Sequence, residues 1–219
     1  QRGPRFKADD ALRDIAKGTW VCGDPGAQFE TTIQRWHTCP NTEPINSSNP
    51  CSEYKFLDDT ACNLASLRLT AFRRPDGTID LAAYRAAVRL LFTAQEILVG
   101  NASYPTRAVA ERSYQFRPLG IGCCDLGALR MLQGLAYDSD ERRALGGLMT
   151  AVLTGEAYLV SAEMAAVVGP FEGYEENREP MLAVMRMHRA SLAGLKGLPA
   201  EYGAEAYDAW DRALVLGQR

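Results

Sequence analysis

Asn49, Cys51 and Glu53 stand at alternate positions around Pro50 in the run INSSNPCSEYKFLDDTACNLASLRL, Ile45 to Leu69, and a second cysteine, Cys62, follows a short turn later. In an extended chain alternate side chains share one face, about 6.6 Å apart, and a residue before proline is driven toward extended geometry. That spacing would line one wall with an amide, a thiol and a carboxyl. The same residues also read as an ordinary polar loop, with SSNP as turn chemistry and Cys51 as a small apolar side chain. Spacing alone supports both readings.

The chemistry open to such a wall is narrow. A nucleophilic cysteine needs a cation, a histidine or a helix N-terminus to make it a thiolate. The neighbour here is Glu53, and a close negative charge disfavours ionising a thiol. A neutral thiol can instead give up and take back a hydrogen atom while the carboxyl handles protons. The combination suits radical chemistry on a hydroxylated substrate.

The elements that would position these residues follow from periodicity and punctuation. Ala8 to Trp20 reads as an amphipathic helix ending at the CGDPG turn, which lacks the lysine of a phosphate-binding loop. TTIQRW adds a helical turn, and the segment DTACNLASLRL reads as a buried strand, although its length also permits a helix. Beyond the RRPDG turn, helices are expected over Asp80 to Val99 and within PTRAVAERSYQF, with a short strand at PLGIG. Helices over Cys124 to Gln133, Ser139 to Val168, Glu179 to Leu195 and Ala200 to Leu216 complete the chain. Short strands alternating with longer helices argue for an α/β layout with parallel strands. The strands are too few to close a sheet, so residues 1–219 are expected to be part of a longer protein.

Composition narrows the partners. The chain has 219 residues, is 47% hydrophobic and carries a formal net charge of -3, which does not point to nucleic acid or to an anionic membrane. Its longest uncharged run, Ala144 to Gly155, is far shorter than the roughly 20 residues of a spanning helix. Six cysteines without a signal peptide read as a reduced, cytoplasmic set. His37 and Cys39 in HTC, with no C-x-x-C pair, do not make a zinc site, so no metal is expected. His37 reads as a structural histidine and His188 as a solvated one. Core packing is expected for Cys123 and Cys124, and core or rim positions for Trp20, Trp36 and Trp210. The EENRE run, Glu175 to Glu179, reads as an exposed helix start.

Cys22 to Leu69 as a whole, together with RPLGIG (Arg117 to Gly122) and VGPFEGYEENREPMLAVMRMHR (Val168 to Arg189), resembles the middle of the catalytic chain of class II, adenosylcobalamin-dependent ribonucleotide reductases. The resemblance implies a helix-rich fragment of a ten-stranded α/β barrel, with a finger loop thrust through its centre. It implies that Cys51 becomes a thiyl radical and abstracts the 3′ hydrogen of the ribose, and that Glu53 takes the proton of the 3′ hydroxyl. Asn49 would orient the substrate, with Ser48 a further substrate-binding candidate. Cys62, in ACNLAS, would be one of two cysteines that supply the reducing equivalents, its partner lying upstream of Gln1. The implied cofactor is adenosylcobalamin, and the implied partners are a ribonucleotide, thioredoxin or a similar dithiol reductant, and nucleotide effectors. A di-metal partner subunit as the radical source, or a non-catalytic remnant, are the competing readings. In GIGCCDLG, Cys123 and Cys124 depart from the family pattern, which has residues such as tyrosine and alanine there.

Overall fold

The computed structural model describes residues 3–195 and 200–218. The chain divides into two compact units, Gln1–Arg35 and Trp36–Arg219. In the first, helix α1 (Ala8–Cys22) is closed by Gly23, whose left-handed φ of 83° lets its N–H reach the Thr19 carbonyl. Helix α2 (Glu30–Arg35) follows, and neither helix buries a side chain. Trp20 is 91% exposed, which corrects its expected core or rim position.

The second unit is organised around two parallel strands, β1 (Asn63–Arg68) and β2 (Leu119–Cys124), in the register Asn63↔Leu119 through Arg68↔Cys124. Between them run α3 (Leu81–Asn101) and α4 (Arg107–Phe116), the helical crossover that a parallel pair requires. Asp80 and Thr106 cap these helices by accepting the N–H groups of Ala83 and Val109. Then come α5 (Leu126–Leu132), α6 (Asp140–Val168), α7 (Tyr174–Ser191) and α8 (Ala200–Gly217).

Strand alternation decides which residues meet the core. Leu67, Ile121 and Cys123 pack against it, whereas Leu64, Ser66 and Arg68 are exposed on the other face with Cys124. Cys123 therefore packs as expected and Cys124 does not, because neighbours on a strand point to opposite faces. Helix α6 is long and apolar enough, at a mean hydropathy of 1.4, to cross a membrane by composition. Thirteen of its residues are buried, Leu148, Met149 and Val152 completely, and it packs chiefly on α8 and α3. Its apolar surface is that of a core helix.

Charge reinforces the same three-helix contact. Glu156 of α6 is 1% exposed and is held by Arg85 Nε at 2.6 Å and Arg89 Nη1 at 2.8 Å from α3. Arg85 also pairs with Glu205 and Asp208 of α8, and Arg89 with Glu163 of α6. Burying Glu156 is tolerated because both carboxylate oxygens are paired.

Helix α7 begins at Tyr174, five residues before the expected start, and contains Pro180. A proline inside a helix leaves the carbonyl four residues earlier without its N–H. That carbonyl belongs to Glu176, and Asn41 Nδ2 donates to it. The helix is thus completed by a side chain from the loop that precedes β1.

Candidate active site

The loop from Trp36 to Cys62 is anchored at its base on two helices. Asn177 of α7 is fully buried. Its Oδ1 accepts the Asn41 N–H at 2.9 Å, and its Nδ2 donates to Thr42 Oγ1 at 2.8 Å and to the Gly173 carbonyl at 2.9 Å. Thr42 in turn donates to the Glu176 carboxylate. From α4, Arg112 pairs with Glu43 at 2.6 Å, and the fully buried Ser113 accepts the Ala61 N–H at 2.9 Å. Glu43 Oε1 also takes the Asp58 N–H, and Asn46 donates to Asp58 at 2.8 Å, so the two arms of the loop are tied to one another.

The loop carries a small core of its own. Cys39, Leu57 and Phe116 are buried together, with Phe56 and Phe171 packed on them. His37, 3% exposed, donates from Nε2 to the Glu43 carbonyl at 2.9 Å and accepts the Cys39 N–H at Nδ1. Both ring nitrogens are occupied and burial lowers the His37 pKa, so the ring is a neutral brace. Burial pushes the Cys39 thiol up to about 11. His188 is half-buried between Trp36 and Trp210, with ring centroids 4.8 and 5.5 Å away. It is therefore packed between aromatic rings and not solvated as expected.

At the tip the geometry differs from the extended run that the spacing suggests. The Ser52 N–H donates to the Asn49 carbonyl at 3.0 Å, so Asn49 to Ser52 form a β-turn with Pro50 and Cys51 at its centre. Pro50 supplies the fixed φ of the first central position. Ser52 follows in the left-handed region at φ 68° and turns the chain back. Asn49 locks the reversal: its N–H donates to the Tyr54 carbonyl at 3.3 Å, and its Oδ1 accepts the Tyr54 N–H at 2.9 Å. Ser48 Oγ donates to the Asn49 carbonyl at 2.9 Å. Cys51 is exposed at the apex.

The turn brings Asn49 and Glu53 together where alternation along a strand would only have aligned them. A hydrogen bond from the Asn49 side chain, first, holds the Glu53 carboxyl below its ordinary range, so Glu53 is an ionised base at neutral pH. Cys62, half-buried where β1 begins, has its pKa raised by burial first and then by the charge of Glu53. It is kept as a thiol. Tyr54, a residue the sequence does not single out, donates to Thr60 Oγ1 at 2.7 Å, while Thr60 donates to the Leu57 carbonyl. Burial raises its pKa to about 12, and Cys62 acts on it electrostatically.

Among the described residues no group of three metal-ligating side chains forms and all six cysteines are free. The site therefore presents an exposed thiol on a turn, an ionised carboxylate clamped by an amide, and a protonated second thiol near that carboxylate. Asn177, Ser113 and Tyr54 support it. Pro180 signals only that the Glu176 carbonyl needs a donor, which Asn41 supplies; nothing in the sequence marks Asn177 itself.

An Asn177→Ala substitution is expected to leave the Asn41 N–H without its acceptor and to cost about 1–3 kcal/mol. The loss should be local. Hydrogen exchange over residues 37–62 should accelerate while that of α6 stays as it was, and unchanged exchange in the loop would refute the anchoring role.

The helical crossover between two parallel strands, and the cysteine-tipped loop that leads into the first of them, define a segment of a parallel α/β domain. The family model described as ribonucleotide reductase, barrel domain, matches residues 2–214, and the chain belongs to that family. It is 52% identical over 217 residues, 99% of its length, to a vitamin B12-dependent ribonucleotide reductase of Rhodopirellula baltica, and 46% identical over 98% of its length to one of Agrobacterium fabrum. It is 31% identical over 70% of its length to a ribonucleoside-diphosphate reductase large chain of Encephalitozoon cuniculi. These matches cover 21%, 18% and 20% of the relatives, so the chain spans about a fifth of their length.

Proposed function

We propose that these residues are the thiol-bearing part of the catalytic barrel of an adenosylcobalamin-dependent reductase that converts ribonucleoside diphosphates to 2′-deoxyribonucleotides. The observation that carries this reading is the tip itself: Cys51 is exposed at the centre of the Asn49–Ser52 turn, Asn49 locks the reversal on Tyr54, and Cys62 lies half-buried where β1 begins. Cobalamin is favoured over a di-metal partner subunit because the vitamin B12-dependent relatives share 52% and 46% identity with the chain, against 31% for the large-chain relative.

Cys51, at the centre of the turn, is the thiol that starts the chemistry. When bound, adenosylcobalamin would supply the one-electron chemistry that removes the hydrogen atom from this sulfur. Cys51 then takes the 3′ hydrogen of the ribose, and Glu53 accepts the proton of the 3′ hydroxyl. Asn49, assisted by Ser48, orients the sugar. The 2′ hydroxyl leaves as water, while Cys62 and a second thiol of the complete protein provide two electrons and become a disulfide. Cys51 returns its hydrogen to the 3′ carbon. Thioredoxin or a similar dithiol regenerates the pair, nucleotides act as effectors, and a reducing compartment, the cytoplasm, keeps the thiols available.

The experiment is turnover of a full-length chain carrying these residues, with adenosylcobalamin, a ribonucleoside diphosphate and a dithiol. Deoxynucleotide is the expected product. Cys62→Ser should still remove the 3′ hydrogen but fail to complete reduction, lowering deoxynucleotide formation by roughly two orders of magnitude or more. Full product formation by Cys62→Ser would remove Cys62 from the reaction.

A further inference from the structure

We propose that Gly120 is a positioning residue for the Cys62 thiol: the side chain it lacks is the space in which that sulfur sits. A Cβ built on Gly120 would stand 2.7 Å from Cys62 Sγ and closer still to Leu64 Cδ2, and real carbon–sulfur contacts do not come so near. Gly120 has an ordinary negative φ, so no left-handed conformation demands glycine here. Clearance is the reason for it.

The strand cannot retreat to make room. Gly120 is paired with Leu64 in the sheet, and its carbonyl accepts Gln95 Nε2 at 2.8 Å. The same Gln95 nitrogen donates to the Asn63 carbonyl at 2.7 Å, while Asn63 Nδ2 donates back to the Gln95 carbonyl at 3.1 Å. Gln95 is 2% exposed on α3, so the beginnings of both strands are stitched to one buried helix. An added methyl must therefore displace side chains. Leu64, 63% exposed, can swing into solvent. Cys62 has a single side-chain torsion, and its sulfur must change rotamer, a movement of about 3 Å.

Such a shift separates folding from chemistry. The backbone hydrogen bonds of β1, β2 and Gln95 need not change, but the thiol leaves its place relative to Glu53. A misplacement of about 1 Å can cost on the order of 100-fold in rate. Gly122 provides a matched control on the same face of the same strand, because its Cβ would meet Ser66 Oγ at 3.4 Å, an ordinary contact.

The inference rests on the role proposed for Cys62, and the test separates the two. In a full-length chain, the rate of Cys62 alkylation by iodoacetamide is followed across pH, peptide by peptide, in Gly120→Ala and Gly122→Ala. We expect Gly120→Ala to change the Cys62 rate at least about threefold and to shift its pH profile to lower pH as the sulfur leaves its half-buried cradle, with Gly122→Ala within about twofold of the unsubstituted chain. Turnover in Gly120→Ala should fall by roughly 10- to 100-fold with KM little changed. Superimposable alkylation profiles for the two variants would overturn the proposal. If Gly120→Ala fails to fold, Leu64→Ala/Gly120→Ala removes the second clash and leaves only that with Cys62, and the same comparison decides. An alkylation shift in a chain that makes no deoxynucleotide would support the positioning and count against the proposed function.

Discussion

Cys51→Ser is expected to abolish deoxynucleotide formation in a full-length chain while leaving the fold in place. Cys51 occupies a central position of the Asn49–Ser52 turn and is exposed, and serine is a favoured turn residue of nearly the same shape. Nothing in the packing opposes the exchange. The chemistry does, because an O–H bond is too strong for the radical source to break and too strong to give its hydrogen back to a carbon radical. Turnover below about one part in 10,000 of the unsubstituted rate, with an unchanged thermal midpoint, is the expected pair of readings. A Cys51→Ser chain that keeps a tenth of its activity would exclude a thiyl step at this position.

The second large effect belongs to Glu53. Its carboxyl pKa is lowered below the ordinary carboxylate range, first by the Asn49 side chain, and the ionised form is the one that can accept the 3′ hydroxyl proton. Glu53→Gln keeps the shape and the contact with Asn49 but removes the basic oxygen. Turnover should slow by roughly two to four orders of magnitude, the range for loss of a general base. The alkylation of Cys62 should also respond. The charge of Glu53 helps to raise the thiol pKa, so neutralising it should move the profile to lower pH. A Glu53→Gln chain with unchanged turnover and an unchanged Cys62 profile would contradict both assignments.

Much of this arrangement was legible in the residues. Hydrophobic periodicity located α1, α3, α6 and α8 to within a few residues, and the run of small and apolar residues before Leu69 became β1, which is exposed at alternate residues and not buried throughout as expected. The candidate site residues were also visible, although their geometry was not. Asn49, Cys51 and Glu53 were expected along one extended wall, whereas the chain reverses through Pro50 and Ser52 and Asn49 folds onto Glu53. Proline restricts the residue before it, yet it equally favours the first central position of a turn, and side-chain bonds to Tyr54 decide for the turn.

The supporting residues were hidden for a different reason. Asn177 sits in a run of charges and looked exposed; it is buried because residues Asn41 and Thr42, more than a hundred positions earlier, come to it. Gln95 and Gly120 likewise acquire meaning only when α3, β1 and β2 meet. Local patterns specify elements, while a loop anchor is specified by what the fold brings to it. The helix with Pro180 shows the same limit, since the partner that completes it lies in another segment.

The central claim is that the Cys51 sulfur exchanges a hydrogen atom with the substrate sugar. It is tested most directly by incubating a full-length chain with adenosylcobalamin and a 3′-tritiated ribonucleoside diphosphate, and measuring tritium released to water. A thiol that carries the abstracted atom exchanges it with solvent when it is regenerated. Release is predicted for the unsubstituted chain and for Cys62→Ser, and none above background for Cys51→Ser. Release from Cys51→Ser at the unsubstituted rate would contradict the account.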